Sequence, residues 1–122
     1  MKTGIEIKDL QVHFPLRGGL IPKVKRVCRA VDGLSLRILP GQTLGIVGES
    51  GCGKTTLGKA ICRLVKPSSG SILLDGKNVL TLRGRNLLRY RRDVQMIFQD
   101  PAESLNMRQT VGQILLEPPK IH

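Results

Sequence analysis

The sequence predicts an α/β fold whose N-terminal portion is antiparallel β, and three features carry that expectation. Near the N-terminus, apolar residues recur at about every second position. In the forties a short apolar run follows that does not alternate, and behind it apolar residues fall at helical spacing.

Ile5, Ile7, Leu10, Val12 and Phe14 keep an approximate period of two, the mark of a strand with one buried face. From Pro15 to Lys25 the pair Gly18-Gly19, Pro22 and several cations make a loop or the tip of a hairpin. A second strand is expected near Arg26–Ala30, a turn at Asp32-Gly33, a third strand over Leu34–Leu39, and a further turn at Pro40-Gly41. Short strands joined by tight turns pair antiparallel. Thr43-Leu44-Gly45-Ile46-Val47 then reads as a strand buried on both faces, the start of a parallel core. Leu57, Ala60, Ile61, Leu64 and Val65 form a helix that ends before Pro67-Ser68-Ser69-Gly70. Ser71–Leu74 is expected to be a strand closed by an Asp75-Gly76 turn. Leu82, Leu87 and Leu88, set among arginines, predict a mostly exposed helix up to Arg92. Val94–Phe98 is a short apolar strand leading to Gln99-Asp100-Pro101. Thr110 is placed to cap a helix carrying Val111, Ile114 and Leu115, which Pro118-Pro119 would end. No internal repeat is visible.

The chain has 122 residues, the size of one small domain, with 40% hydrophobic and 24% charged residues. Lys and Arg number 20 against 9 Asp and Glu, a formal net charge of +11. A surplus of that size raises nucleic acid as a partner. Two observations weigh against it. The cations are spread along the chain, with short clusters only at Lys23–Arg26 and Arg89–Arg92, and aromatic residues make up 2%, leaving little on which bases could stack. No nucleic-acid partner is therefore expected; an acidic portion of a larger protein would account for the charge equally well. Cys28, Cys52 and Cys62 are odd in number and lack C-x-x-C spacing, so neither a disulfide framework nor a zinc site is indicated. The longest uncharged run, Ile38 to Gly48, is 11 residues, short of the roughly 20 that cross a bilayer. Met1-Lys2-Thr3-Gly4 leads into Glu6, Lys8 and Asp9 rather than an apolar signal segment, so the expectation is a soluble protein or one held at a membrane by a partner.

Gly48-Glu49-Ser50-Gly51-Cys52-Gly53-Lys54-Thr55 fits G-x-x-x-x-G-K-[ST] at every fixed position. A triphosphate sheds its water only for an equally dense set of donors. Successive backbone N–H groups of a glycine-rich loop supply that set, and the helix behind it adds the positive end of its dipole. Glycine at Gly48, Gly51 and Gly53 allows unusual torsions and close approach. Lys54 brings an ammonium to the β and γ phosphates, the Thr55 hydroxyl is placed as a Mg²⁺ ligand, and Thr56 adds a donor near the α phosphate. A glycine-rich turn arising by accident is the competing reading. The position of the motif, between a buried strand and an amphipathic helix, argues for the phosphate loop.

Around this loop the chain resembles an ABC-type ATPase, through Ala30-Val31-Asp32-Gly33-Leu34-Ser35-Leu36, the run from Gly41 to Thr55, and Gly70-Ser71-Ile72-Leu73-Leu74-Asp75-Gly76. Asp93-Val94-Gln95-Met96-Ile97-Phe98-Gln99-Asp100-Pro101, Ser104-Leu105-Asn106 and Leu116-Glu117-Pro118 are similar to ATP-binding subunits of bacterial dipeptide and oligopeptide (peptide/nickel) importers. The resemblance covers nearly the whole chain apart from Pro15–Lys25. It implies a P-loop NTPase fold, ATP as the nucleotide, and roles that spacing does not give. Gln99 matches the Q-loop glutamine, which contacts Mg²⁺ and the attacking water. Phe14 lies in the region of the A-loop aromatic that stacks on adenine, and equally fits the buried face of the first strand. Leu105–Leu116 would face the membrane subunits. Met107 departs from the proline usual after Leu-Asn. The remaining candidates read plainly: His13 exposed on the strand, Cys52 and Glu49 at variable loop positions, Arg89–Arg92 a solvated helix face.

Downstream of Gln99 the sequence holds no apolar strand ending in Asp-Glu, no LSGGQ-like signature and no switch histidine, His122 being the last residue. Hydrolysis in such ATPases needs the Asp for the Mg²⁺ shell and the Glu to polarise water. The expectation is thus the N-terminal part of a nucleotide-binding domain: residues 1–42 antiparallel β, 43–100 the P-loop core to the Q-loop, 101–122 the start of a helical subdomain. The chain alone would bind ATP and Mg²⁺ without turning ATP over, and would leave apolar surface uncovered. The whole protein would drive peptide uptake from the cytoplasmic face of the membrane, with permease subunits, a second ATP-binding subunit and, indirectly, an extracytoplasmic solute-binding protein. A non-hydrolysing binding module, or an ATPase for nickel, glutathione or another small solute, are the alternatives.

Overall fold

The computed structural model describes residues 4–16, 26–99 and 105–121. The chain forms two compact units, Met1–Leu82 and Arg83–His122.

The first unit is built on a four-stranded antiparallel sheet in the order β2-β1-β3-β4, comprising β1 (Ile5–Leu16), β2 (Arg26–Ile38), β3 (Ser69–Leu74) and β4 (Lys77–Asn78). The apolar pattern of β1 steps by three between Ile7 and Leu10, and the backbone absorbs the extra residue. The register with both neighbours shifts there, and Asp9 takes a left-handed φ of 45°. The Asp9 N–H donates to Ser35 Oγ at 2.8 Å and the Ser35 hydroxyl donates back to Asp9 Oδ1 at 3.2 Å, pinning the bulge to β2. Alternation resumes beyond it, so Ile7, Leu10 and Val12 all reach the core with at most 1% exposure. Each such side chain contributes about 1.5–3 kcal/mol of transfer free energy.

β2 differs from expectation. Asp32-Gly33 does not reverse the chain between two strands; one strand runs through it. Gly33, with φ 77°, drops out of the pairing between Leu10↔Leu34 and Gln11↔Asp32, which makes it a bulge. Ala30 is skipped in the same way between Val12↔Val31 and His13↔Arg29. Pro40-Gly41 does turn: the Gln42 N–H donates to the Leu39 carbonyl at 3.0 Å, with proline at the second position and Gly41 at φ 75° in the third. Of the expected loop at Pro15–Lys25, Pro15 and Leu16 continue β1 and residues 17–25 lie outside the described ones.

Helix α1 (Lys54–Ile61) packs Leu57 and Ala60 on β1 and β2, together with Ile72 of β3, Val79 and Cys62 in the buried set. It is shorter than the apolar spacing predicts, because Leu64 and Val65 lie beyond a Schellman ending. There Arg63 stands at φ 59°, its N–H reaches Ala60 O at 3.1 Å, and the Leu64 N–H reaches Lys59 O at 2.8 Å. The Arg63 guanidinium also donates to the Val79 carbonyl. The β3–β4 hairpin closes on Asp75-Gly76, both at positive φ (50° and 77°) as a two-residue primed turn demands. A single 3₁₀ turn, Val79–Thr81, follows β4.

Thr43–Val47 does not become a buried strand. It has no ladder partner among the described residues, and Leu44, Ile46 and Val47 are 40%, 46% and 94% exposed. A strand of a parallel core is held by hydrogen-bonded neighbours on its two edges, and none of the described residues supplies them.

In the second unit, α2 (Gly84–Asp93) carries the arginines on its exposed side and buries Tyr90, with Leu82 preceding the helix rather than lying in it. Val94–Phe98 likewise has no ladder partner among the described residues, with Ile97 95% exposed. Helix α3 (Val111–Ile121) starts on a reciprocal capping box: the Gln113 N–H donates to Thr110 Oγ1 at 3.3 Å, and the Thr110 N–H donates to Gln113 Oε1 at 2.8 Å. Pro118-Pro119 does not end it. The proline ring holds φ near the helical value; what it removes is the N–H that would bond four residues back, so Ile114 and Leu115 lose those donors while the coil continues. No helix among the described residues is long and apolar enough to cross a membrane.

Candidate functional site

Residues Gly48 to Thr56 gather at the junction between the exposed Thr43–Val47 segment and α1, in the first unit. Gly51 and Gly53 stand at φ 82° and 97°. Gly53 is the N-cap of α1, so no side chain closes the helix end, and no acidic residue lies in the first turn. The first intrahelical bond runs from the Leu57 N–H to Gly53 O at 2.9 Å. The N–H groups of Lys54, Thr55 and Thr56 precede it, without carbonyl partners of their own helix. Lys59 sits in the last turn, matched to the opposite dipole end.

The loop is tight enough to reject larger residues at two of its glycines. A Cβ on Gly48 would lie 2.7 Å from Cys52 Sγ, and one on Gly53 would collide with the Ala30 carbonyl. Lys54 folds back across the loop, its ammonium donating to Gly48 O at 2.6 Å and Glu49 O at 2.7 Å, with Cys52 Sγ at 3.5 Å. The ammonium expected to meet phosphate is thus held by carbonyls of the loop it serves. Thr55 is exposed and Thr56 half-buried. Among the described residues no cluster of three or more His, Cys, Asp or Glu could hold a metal.

Beside the loop opens a cleft of about 460 Å³, lined by Arg29, Asp32, Ile46, Gly53, Lys54 and Leu57 among others. Sequence reasoning missed the polar group on its β2 side. His13 is not simply exposed on its strand: Nε2 is 3.0 Å from Asp32 Oδ1, and Arg29 Nη1 donates to Asp32 Oδ2 at 3.4 Å. The hydrogen bond with His13, aided by Arg29, holds the Asp32 carboxyl below its ordinary range despite some desolvation. No short motif signals this cluster, since the two β2 bulges set which residues of β2 face His13. Of the expected site residues, Phe14 is not among the described residues of the lining. Phe14 is on β1 opposite Cys28, 39% exposed, and Gln99 is exposed in the second unit.

Residues 31–118 match the ABC transporter family. The chain belongs to that family. Among curated relatives, this ABC chain is 47% identical over 118 residues to the glutathione import ATP-binding protein GsiA of Salmonella choleraesuis (strain SC-B67), covering 97% of the chain and 19% of the relative. It is 45% identical over 118 residues to the protein of that name from Escherichia coli (strain K12), with the same coverage. The chain thus spans about a fifth of the length of the curated relatives it matches. Among solved structures it resembles the dimeric ATP-binding cassette MJ0796 bound to ADP and Pi, with TM-score 0.61, 26% identity, and coverage of 72% of this chain and 35% of that one. It also resembles cbiO1 from Clostridium perfringens, part of the ABC transporter complex cbiONQ, with TM-score 0.64, 26% identity, and coverage of 87% and 38%. The fold is that of the N-terminal portion of an ABC nucleotide-binding domain, an antiparallel sheet with helices.

Proposed function

We propose that the loop from Gly48 to Thr55 holds the phosphates of ATP, and that the chain is the nucleotide-gripping part of an importer's ATP-binding subunit. The observation that carries this reading is the junction itself: two glycines at positive φ deliver the chain into an uncapped helix N-terminus, with Lys54 folded over it. Backbone N–H groups of Gly51 to Thr56 take the place of phosphate hydration, and the helix dipole favours the charge. Lys54 exchanges its bonds to Gly48 and Glu49 for the β and γ phosphates. The Thr55 hydroxyl would hold Mg²⁺, which neutralises charge on those phosphates. Hydrolysis calls for an acidic strand end and a signature sequence that these 122 residues do not contain, so they bind nucleotide without turning it over.

In the whole protein, ATP binding and hydrolysis would drive uptake of a peptide-type solute from the cytoplasmic face of the membrane, with permease subunits and a second ATP-binding subunit. An extracytoplasmic solute-binding protein would deliver the solute. The name carried by the relatives favours glutathione within that class. Thermal melts with MgATP test the core of the proposal. Ligand at 100 times its dissociation constant stabilises by about 2.7 kcal/mol, and Lys54→Ala is expected to remove most of that shift. An equal shift in the variant would sink the assignment.

A further inference from the structure

Helix α2 carries more positive charge than its own stability asks for. Between Arg83 and Asp93 the sequence holds five arginines and one acidic residue. Arg91 and Arg92 lie in the last turn, where cations complement the helix dipole. Arg85 lies in the first turn, at the positive end, behind an N-cap that makes no side-chain hydrogen bond and with no acidic residue in that turn. Arg85 and Arg89 are four residues apart and Arg89 and Arg92 three, so both pairs set like charges side by side on one face. Helix propensity does not call for this, since glutamine or glutamate would serve as well. At that face lies a cavity of about 370 Å³ lined by Arg85, Leu88, Arg89 and Arg92. We propose that this cavity binds a phosphate-dense anion, carried either by a soluble polyphosphorylated molecule or by the headgroups of acidic phospholipids.

The side chains suit that ligand. A guanidinium stays charged and meets phosphate oxygens through two parallel N–H bonds. From Arg85 to Arg92 the helix rises roughly 10 Å. A single phosphate therefore engages at most two of the three forks, and several phosphates close together engage them all. Among the described residues Arg92 pairs with the adjacent Asp93 at 3.2 Å, while Arg85 and Arg89 have no ion pair. The Arg92–Asp93 pair is exposed, so exchanging it for phosphate costs little. Tyr90 is buried on the side turned away from this face, which anchors the helix without the three arginines.

The test separates this cavity from general positive charge. The full chain is titrated calorimetrically with myo-inositol hexakisphosphate and sedimented with phosphatidylcholine vesicles with and without phosphatidylglycerol. Salt is held at about 0.15 M, where diffuse attraction is screened, and MgATP is present in excess. The variants are Arg89→Gln, Arg89→Lys and the triple Arg85→Gln, Arg89→Gln, Arg92→Gln. A control triple, Arg37→Gln, Lys77→Gln, Lys120→Gln, removes the same charge at other exposed positions. Arg89→Gln is expected to weaken binding about 5–20-fold and the arginine triple at least about 50-fold, with the control within about threefold. Arg89→Lys keeps the charge, loses the fork and is expected to fall between wild type and Arg89→Gln. This pattern with inositol hexakisphosphate, with or without vesicle binding, supports a soluble ligand; the pattern with phosphatidylglycerol vesicles alone supports headgroups. Binding of neither probe, or an equal loss in the control, overturns the proposal. Relief of like-charge pairs is also expected to leave the arginine triple at least as stable as wild type. A melting temperature well below wild type would mean that the arginines serve the fold, and overturns it too.

Discussion

Gly53, the last glycine of the proposed phosphate loop, sits so close to the carbonyl of Ala30 that no side chain fits between them. Ala30 is one of the residues that the β1–β2 register skips, so a bulge in β2 and the glycine of the loop meet at one point. Gly53 carries a second constraint, its φ of 97°, which Gly51 shares at 82° with nothing within 4 Å of its would-be Cβ. The two positions separate torsion from contact. Gly51→Ala is expected to cost about 1–2 kcal/mol of stability from torsion alone. Gly53→Ala is expected to cost about 3 kcal/mol or more, because overpacking against backbone adds to the torsion. Urea unfolding of both variants measures the difference, and equal costs would show that the Ala30 contact yields.

That contact also marks how far the sequence could be read. The loop from Gly48 to Thr55 could be singled out because its pattern is local: glycines, a lysine and a threonine at fixed spacing ahead of an amphipathic helix. The first strand was legible from its alternation, and even its bulge shows as the three-residue step from Ile7 to Leu10. Asp32-Gly33 misled because the same dipeptide serves a turn and a bulge, and the choice depends on whether β1 continues to pair beyond it, which is tertiary. Thr43–Val47 and Val94–Phe98 have the composition of core strands, but composition does not supply edges to bond to. The His13–Asp32–Arg29 cluster was illegible for a related reason: it exists only in the bulged register.

Arg63 ends α1 in a conformation that favours glycine, at φ 59°, while its guanidinium reaches the Val79 carbonyl. Torsion and hydrogen bond pull in opposite directions. Arg63→Ala keeps the unfavourable φ and loses the charged donor, for an expected cost of about 1.5–3 kcal/mol. Arg63→Gly loses the same bond but relieves the backbone, and is expected to be less destabilised than the alanine variant by about 1 kcal/mol. Denaturant midpoints at constant slope decide it; a glycine variant no better than alanine would mean the αL position carries little strain.

Asp32 ties β2 to β1 through His13, and that hydrogen bond, aided by Arg29 on its own strand, holds its carboxyl below the ordinary range. A carboxyl depressed on folding stabilises fully above its unfolded value, and that contribution is lost as pH falls through the folded value. Wild type is therefore expected to be more stable than Asp32→Asn at neutral pH, with the gap closing below about pH 4. Melting temperatures across pH 2.5–7 test this, and a gap that stays constant through the acid range would assign the difference to packing.

Thr55 and Thr56 are adjacent hydroxyls in the first turn of α1, one exposed and one half-buried. Only one of them can lie over the outer phosphates, where a bridging cation would sit, since consecutive helical residues point about 100° apart. The proposed site gives that place to Thr55. ATP affinity measured with Mg²⁺ and with EDTA reads the role directly. Thr55→Ala is expected to lose at least about tenfold of the affinity that Mg²⁺ adds, while metal-free binding holds, and Thr55→Ser is expected to retain it. Thr56→Ala is expected to weaken both conditions alike, as loss of a plain phosphate donor should. If the metal-dependent increment vanished in Thr56→Ala and survived in Thr55→Ala, the roles of the two threonines would be exchanged.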